Sequence, residues 1–209
     1  WSYTSFTDIT FEEGADFSGA IFKAGTDFAN VTFNGITEFN DVMFEGKVLF
    51  LDVTFKKGVG FKKGSQKKGT TFKGETSFSG VNFEESVYFD EAVFEKRVSF
   101  YSSWGIAKEA NILRTEEYPN ERKRTTSFIK TEFHGQTTFN DCVFNVNATF
   151  GSAQFKGDTY FVGTIFEDEL DLKSARFEQE FKFMPQKIEK LDLKNITTYG
   201  YTKVEHFES

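Results

Sequence analysis

Cysteine, methionine, tryptophan and histidine are all scarce in this 209-residue chain, with one, two, two and two copies respectively. A single cysteine excludes an internal disulfide framework and is compatible with a reducing compartment. Neither His134 nor His206 has a cysteine, histidine or paired-carboxylate partner at ligand spacing, which argues against a metal centre. No apolar run approaches the ~20 residues needed to span a bilayer, and no basic-then-apolar leader opens the chain. The phosphate-cradling GxxxxGK(S/T), the nucleophile elbow GxSxG and the zinc helix HExxH do not occur. Basic excess is missing too. The formal charge is -7 and the isoelectric point about 5.1, which disfavours generic binding to nucleic-acid backbones or anionic membranes.

What the chain does have is phenylalanine, 29 copies of it, reused in one structural slot. Across residues 15–61 it falls at 17, 22, 28, 33, 39, 44, 50, 55 and 61, so the step alternates between five and six. Two residues before each lies a small or β-branched side chain: Ala15, Ala20, Thr26, Val31, Thr37, Val42, Val48, Val53. Period-two spacing puts that residue and the Phe on one inward face of a short extended segment. The residue between them, such as Asp16, Ile21, Asp27 or Met43, must point outward. Glycines at 14, 25, 35, 46 and 58 mark corners, where positive φ or close backbone approach is useful.

A chain that turns every five or six residues with one face always inward is a solenoid. The spacing predicts an all-β fold of four-sided coils, about 22 residues each, stacked at the ~4.8 Å strand spacing. Phenylalanines 22 apart then form ladders. Phe17, Phe22, Phe28, Phe33, Phe39, Phe44, Phe50, Phe55, Phe133, Phe139, Phe144 and Phe150 are the expected core.

Two interruptions divide a single domain, residues 1–209. The first array, 1–100, contains a six-residue insertion within the lysine-rich bulge 62–69, where Lys62, Lys63, Lys67 and Lys68 offer a basic contact for an acidic partner or simply a solvated loop. Residues 101–127 break the rhythm altogether. Ile106, Ala110 and Leu113 share one helical face there, and Pro119 follows, so an inserted helix is expected near 104–118. The second array spans 128–188, and 189–209 is expected to cap the open end of the solenoid.

The units Ala15-Asp16-Phe17-Ser18-Gly19, Thr26-Asp27-Phe28-Ala29-Asn30 and Val42-Met43-Phe44 follow a small, polar, central-Phe pattern. In this the chain resembles the pentapeptide-repeat proteins over most of residues 5–188. The departure is a regular extra residue in every second unit. The resemblance implies a right-handed quadrilateral β-helix. It also implies two roles. The best-known members are acidic, DNA-shaped modulators of bacterial topoisomerases, and Phe-rich variants resemble extensions attached to bacterial membrane proteins.

Cys142 occupies the small inward slot before Phe144 and reads as a core space-filler rather than a reactive thiol. Acidic clusters such as Glu84-Glu85 with Asp90-Glu91 read as a solvated face or the stripe of a DNA mimic. Outward residues Ile21, Met43, Thr71 and Val93 fall in one column once the bulge is subtracted, giving an apolar stripe for a partner or a second subunit, or else scattered surface apolars. The leading expectation is a non-catalytic interaction module without cofactor. Its partner is an unidentified protein, a second copy included, with no direct nucleic-acid binding and no membrane insertion. The location expected is cytoplasmic, and an opening on Trp1 rather than Met is what a processed or excised piece would show.

Overall fold

The computed structural model describes residues 3–66, 68–105 and 124–205. Each coil places four short strands, and equivalent strands of successive coils pair in parallel, giving four columns. The first begins at Tyr3–Thr7, the second at Thr10–Phe11, the third at Ala15–Asp16 and the fourth at Ile21–Phe22. The second and third merge into one 14-stranded sheet because Ile165–Asp171 runs through the corner between them. Nine strands stack in the first column, so the chain makes about eight turns of a parallel β-solenoid.

The register confirms the 22-residue coil: Phe6 pairs with Phe28, Phe28 with Phe50, and Thr32 with Thr54. At the lysine-rich bulge the step lengthens to 28, with Met43 opposite Thr71 and Phe50 opposite Phe78. The six-residue insertion is therefore real. Across the second interruption the step is 39, with Val87 opposite Thr126 and Val98 opposite Thr137.

The inserted helix needs correction where it can be described. Trp104–Gly105 is a strand that pairs with Asn82–Phe83 on one side and Val143–Phe144 on the other, and Thr125–Ser127 is again a strand. Backbone ladder bonds on both sides hold these residues extended, so the interruption is narrower than 101–127. The remainder of the expected helix, 106–118, lies outside the described residues, and no helix occurs among the described ones.

The phenylalanines build the core. Rings in one column stack face to face, as in Phe28–Phe50 at 4.8 Å and Phe128–Phe150 at 4.7 Å. Rings of the first and third columns meet edge to face, as in Phe28–Phe39 at 5.6 Å and 87°. The edge-to-face pairs satisfy the ring quadrupole, whereas the parallel stacks follow the strand spacing. Ten of the twelve expected core rings are buried. Phe17 and Phe22 are only half-buried against the core, because no described coil lies beneath theirs.

Two kinds of corner alternate. The five-residue steps carry tight turns, and in several of them the small residue's N–H donates to the Phe carbonyl three positions back, as from Ala20 to Phe17 and Ala92 to Phe89. The third residue of that turn has positive φ, as in a type II turn, and it is usually Asp, Asn or Ser: Asp8, Asn30, Asp41, Asp52, Ser152. The six-residue corners use glycine for a different reason, close packing between coils. A Cβ on Gly74 would sit 2.3 Å from the Gly46 carbonyl oxygen.

The segment expected as a cap is built as strands. Lys187–Asp192, Thr197–Thr198 and Thr202–Val204 continue the columns as another coil. A one-residue register shift enters between Phe166 and Glu169 opposite them. Leu191, Leu193, Tyr199, Tyr201 and Val204 there are exposed rather than covered.

Candidate interaction surfaces

The outward stripe exists in register. Ile21, Met43, Thr71 and Val93 are successive neighbours along the fourth column. Ile21 is 58% exposed, whereas Met43, Thr71 and Val93 are half-buried. The apolar character stops at the next position, Glu132, followed by Gln154 and Arg176. Glu132 is bonded by Lys156 at 2.8 Å and His134 at 2.9 Å. The Lys156 ammonium, with His134 assisting, holds this carboxyl below its usual range against the effect of desolvation.

The lysine-rich bulge is more organised than a solvated loop would be. Asp41, one coil below, receives main-chain N–H bonds from Gln66 (2.7 Å), Gly64 (2.8 Å), Gly69 (3.0 Å) and Lys68 (3.2 Å). Burial pushes the Asp41 carboxyl up, but the four N–H donors outweigh it and the net shift is downward. Lys63 pairs with Glu91 at 2.8 Å, and the Lys62 ammonium lies over the Tyr88 ring at 4.8 Å. Lys67 is outside the described residues. Asp41 was not singled out from the sequence, since it looks like the other turn residues. The 22-residue register was the available signal: it places Asp41 directly beneath Lys63 and the start of the bulge.

Beside the bulge, the third column has a gap in its outward row. Gly60 stands between Glu38 and Tyr88, its neighbours in adjacent coils. The Asn40 side chain lies over it, its Oδ1 2.6 Å from where a Cβ would stand, and beside it an open concavity of about 730 Å³ is lined by Glu38, Asn40, Lys57, Lys62, Tyr88 and Arg124 among others. Lys57 is tied to Glu85 at 3.0 Å across one wall. Sequence reasoning missed this site, although a glycine between Val59 and Phe61, where other coils carry Asp16 or Glu38, was the sign.

The remaining groups do less. Cys142 is buried and donates from Sγ to the Phe100 carbonyl, and burial pushes its thiol up, out of the reactive range. The acidic residues are interrupted by lysines of neighbouring coils, as in Glu45–Lys73, Glu167–Lys187 and Glu169–Lys190. Among the described residues, no three His, Cys, Asp or Glu side chains converge as a metal site, and no helix is long and apolar enough to cross a membrane.

These features define a class first: a Phe-laddered parallel β-solenoid of 22-residue coils. The family model for pentapeptide repeats, described as nine copies, matches residues 1–43, 68–104 and 128–176. The chain belongs to the pentapeptide-repeat family, whose members are generally non-catalytic. No curated protein and no solved structure matches it.

Proposed function

We propose that this chain is a non-catalytic, right-handed quadrilateral solenoid that serves as a rigid protein-interaction module. The observation that carries the reading is the concavity at Gly60 beside a bulge that Asp41 holds in place. Cations Lys57, Lys62 and Arg124 outnumber acids Glu38 and Glu85 in its lining, on a chain of formal charge -7. A preformed recess with an aromatic wall and local positive charge suits an acidic segment of a partner protein, because little ordering entropy is lost on docking. The Ile21–Met43–Val93 stripe is a second face, suited to a second copy of the chain. A reducing, cytoplasmic setting agrees with one buried thiol and no disulfide.

The test compares the unmodified chain with a Lys62→Glu/Tyr88→Ala double variant as bait in the source cell. The reading expects a partner that the unmodified chain retains and the variant loses, at unchanged melting temperature. The same captured proteins from both baits would overturn it. The DNA-mimic alternative requires a continuous acidic face, and the lysine–glutamate pairs between coils weigh against it.

A further inference from the structure

The first column presents two outward rows of side chains, one through Ser5, Asp27 and Leu49 and the other through Thr7, Ala29 and Leu51. The lysine-rich bulge lies between the third and fourth columns, and the chain leaves the second column at Gly105 and re-enters the third at Thr125. Neither corner borders the first column, so its strands stack without a break. In a chain that is 27% charged, the first eight strands of these rows hold one acid and one base, Asp27 in the second strand and Lys182 in the eighth. Charges collect at the edges instead, with Lys47 and Arg97 on one side and Asp52 and Asp141 on the other. A charge-depleted centre with a charged rim is the anatomy of a protein–protein interface.

The order of side chains along the rows points to a second copy as the occupant. A two-fold axis laid along the fifth strand, Val98–Ser99, inverts the order of the nine strands and sets each row against itself. The third strand then meets the seventh, which places Leu49 and Leu51 against Tyr160 and Val162 of the second copy. The fourth meets the sixth, with Ser77 and Ser79 against Thr138 and Asn140. The second meets the eighth, and Asp27 faces Lys182. At the centre Tyr101, 52% exposed, meets its own counterpart. Apolar therefore lies on apolar, hydroxyl on polar and acid on base, as an isologous interface requires. The Oδ1 of Asp27 is buried with no hydrogen-bond partner among the described residues, while Lys182 gives one of its three donors to Glu180 at 3.2 Å. Six strand spacings, about 29 Å, keep Asp27 and Lys182 apart within one chain, so they can pair only between copies. Nine strands about 4.8 Å apart and roughly 15 Å wide bury about 600 Å² per copy. The total of about 1,200 Å² clears the ~1,000 Å² that a stable interface needs.

We propose that the outward face of the first column joins two copies of this chain in an antiparallel two-fold dimer centred on Ser99. The proposal rests on neither the recess at Gly60 nor the Ile21–Met43 stripe. The test is sedimentation equilibrium of the full chain over a range of micromolar concentrations, with circular dichroism to verify the fold of each variant. The unmodified chain should reach twice its 24.0 kDa. Ser99 lies on the axis, so Ser99→Arg and Ser99→Glu should each sediment as monomers, and an equimolar mixture of the two should recover the dimer. Asp27→Lys should raise the dissociation constant at least about tenfold, and adding Lys182→Asp should restore it. Met43→Lys, on the fourth column, should leave the mass unchanged. An unmodified chain that stays monomeric throughout overturns the proposal. Loss of the dimer in Met43→Lys but not in the Ser99 variants also overturns it, by moving the second copy to the stripe. Should the Ser99 variants misfold, the charge exchange decides: equal dissociation constants for the single and double variants overturn the antiparallel arrangement.

Discussion

Removing one ring from the middle of a ladder measures how much of the solenoid's stability the ladders carry. Phe50 has no solvent exposure. It stacks on Phe28 and Phe78, both at 4.8 Å with planes within 3°, and meets Phe39 and Phe61 edge to face at 5.8 and 5.6 Å. Its strand, Val48–Leu51, is hydrogen-bonded to a strand on each side, so the backbone cannot close around a hole. Phe50→Ala should therefore cost near the top of the range for such truncations, about 4–5 kcal/mol. Phe6 is half-buried with a single stacked partner, Phe28, and Phe6→Ala should cost about half as much, roughly 2 kcal/mol. A chain of this size loses about 2–4 °C per kcal/mol. Melting followed by far-ultraviolet circular dichroism should then fall by roughly 8–20 °C for Phe50→Ala and 4–8 °C for Phe6→Ala. Equal losses, or a Phe50→Ala cost below about 1 kcal/mol, would refute the view that continuous ring stacking holds the coils together.

Further outcomes follow from the corners and the bulge. Asp41→Ala leaves four main-chain donors without their acceptor and should cost about 1–3 kcal/mol, with faster tryptic cleavage at Lys62–Lys68 at neutral pH. Because the folded Asp41 carboxyl is lowered, its contribution is fully present above the unfolded value of about 3.9 and is lost as pH falls through the folded one. Amide signals of Gly64, Gln66 and Gly69 should titrate with a midpoint below that of an unfolded Asp carboxyl. Gly74→Ala should destabilise, since its Cβ would meet the Gly46 carbonyl at 2.3 Å, while Gly58→Ala, with its nearest atom at 3.7 Å, should be neutral or slightly stabilising in urea titrations. Purified protein should leave gyrase supercoiling unchanged, and inhibition would revive the DNA-mimic reading.

The five/six spacing of phenylalanine made the coil length and most of the core legible, because each ring is fixed by contacts with the coils above and below rather than by its sequence neighbours. Phe17 and Phe22 read the same as Phe39 and Phe44, yet they are half-buried, since position along the stack decides coverage. Glycines at corners were legible, but their reason was split: the six-residue corners need closeness, and the positive-φ work falls mostly to residues such as Asp52 and Ser152. The clamp by Asp41 and the recess at Gly60 both arise between coils, 22 or more residues apart. They become visible only once the register is applied row by row. Residues 189–204, within the segment read as a cap because its Phe spacing frays, keep strand pairing, since main-chain ladders persist without an aromatic core.

Register can be measured in solution with cysteine pairs. Asp27 and Leu49 are direct partners in adjacent coils, at the separation of neighbouring strands, which is within disulfide reach. An Asp27→Cys/Leu49→Cys variant should oxidise readily to one intramolecular disulfide, while Asp27→Cys/Met43→Cys, on different columns, should not. Equal crosslinking of both pairs, or none for the first, would contradict a coil that closes every 22 residues.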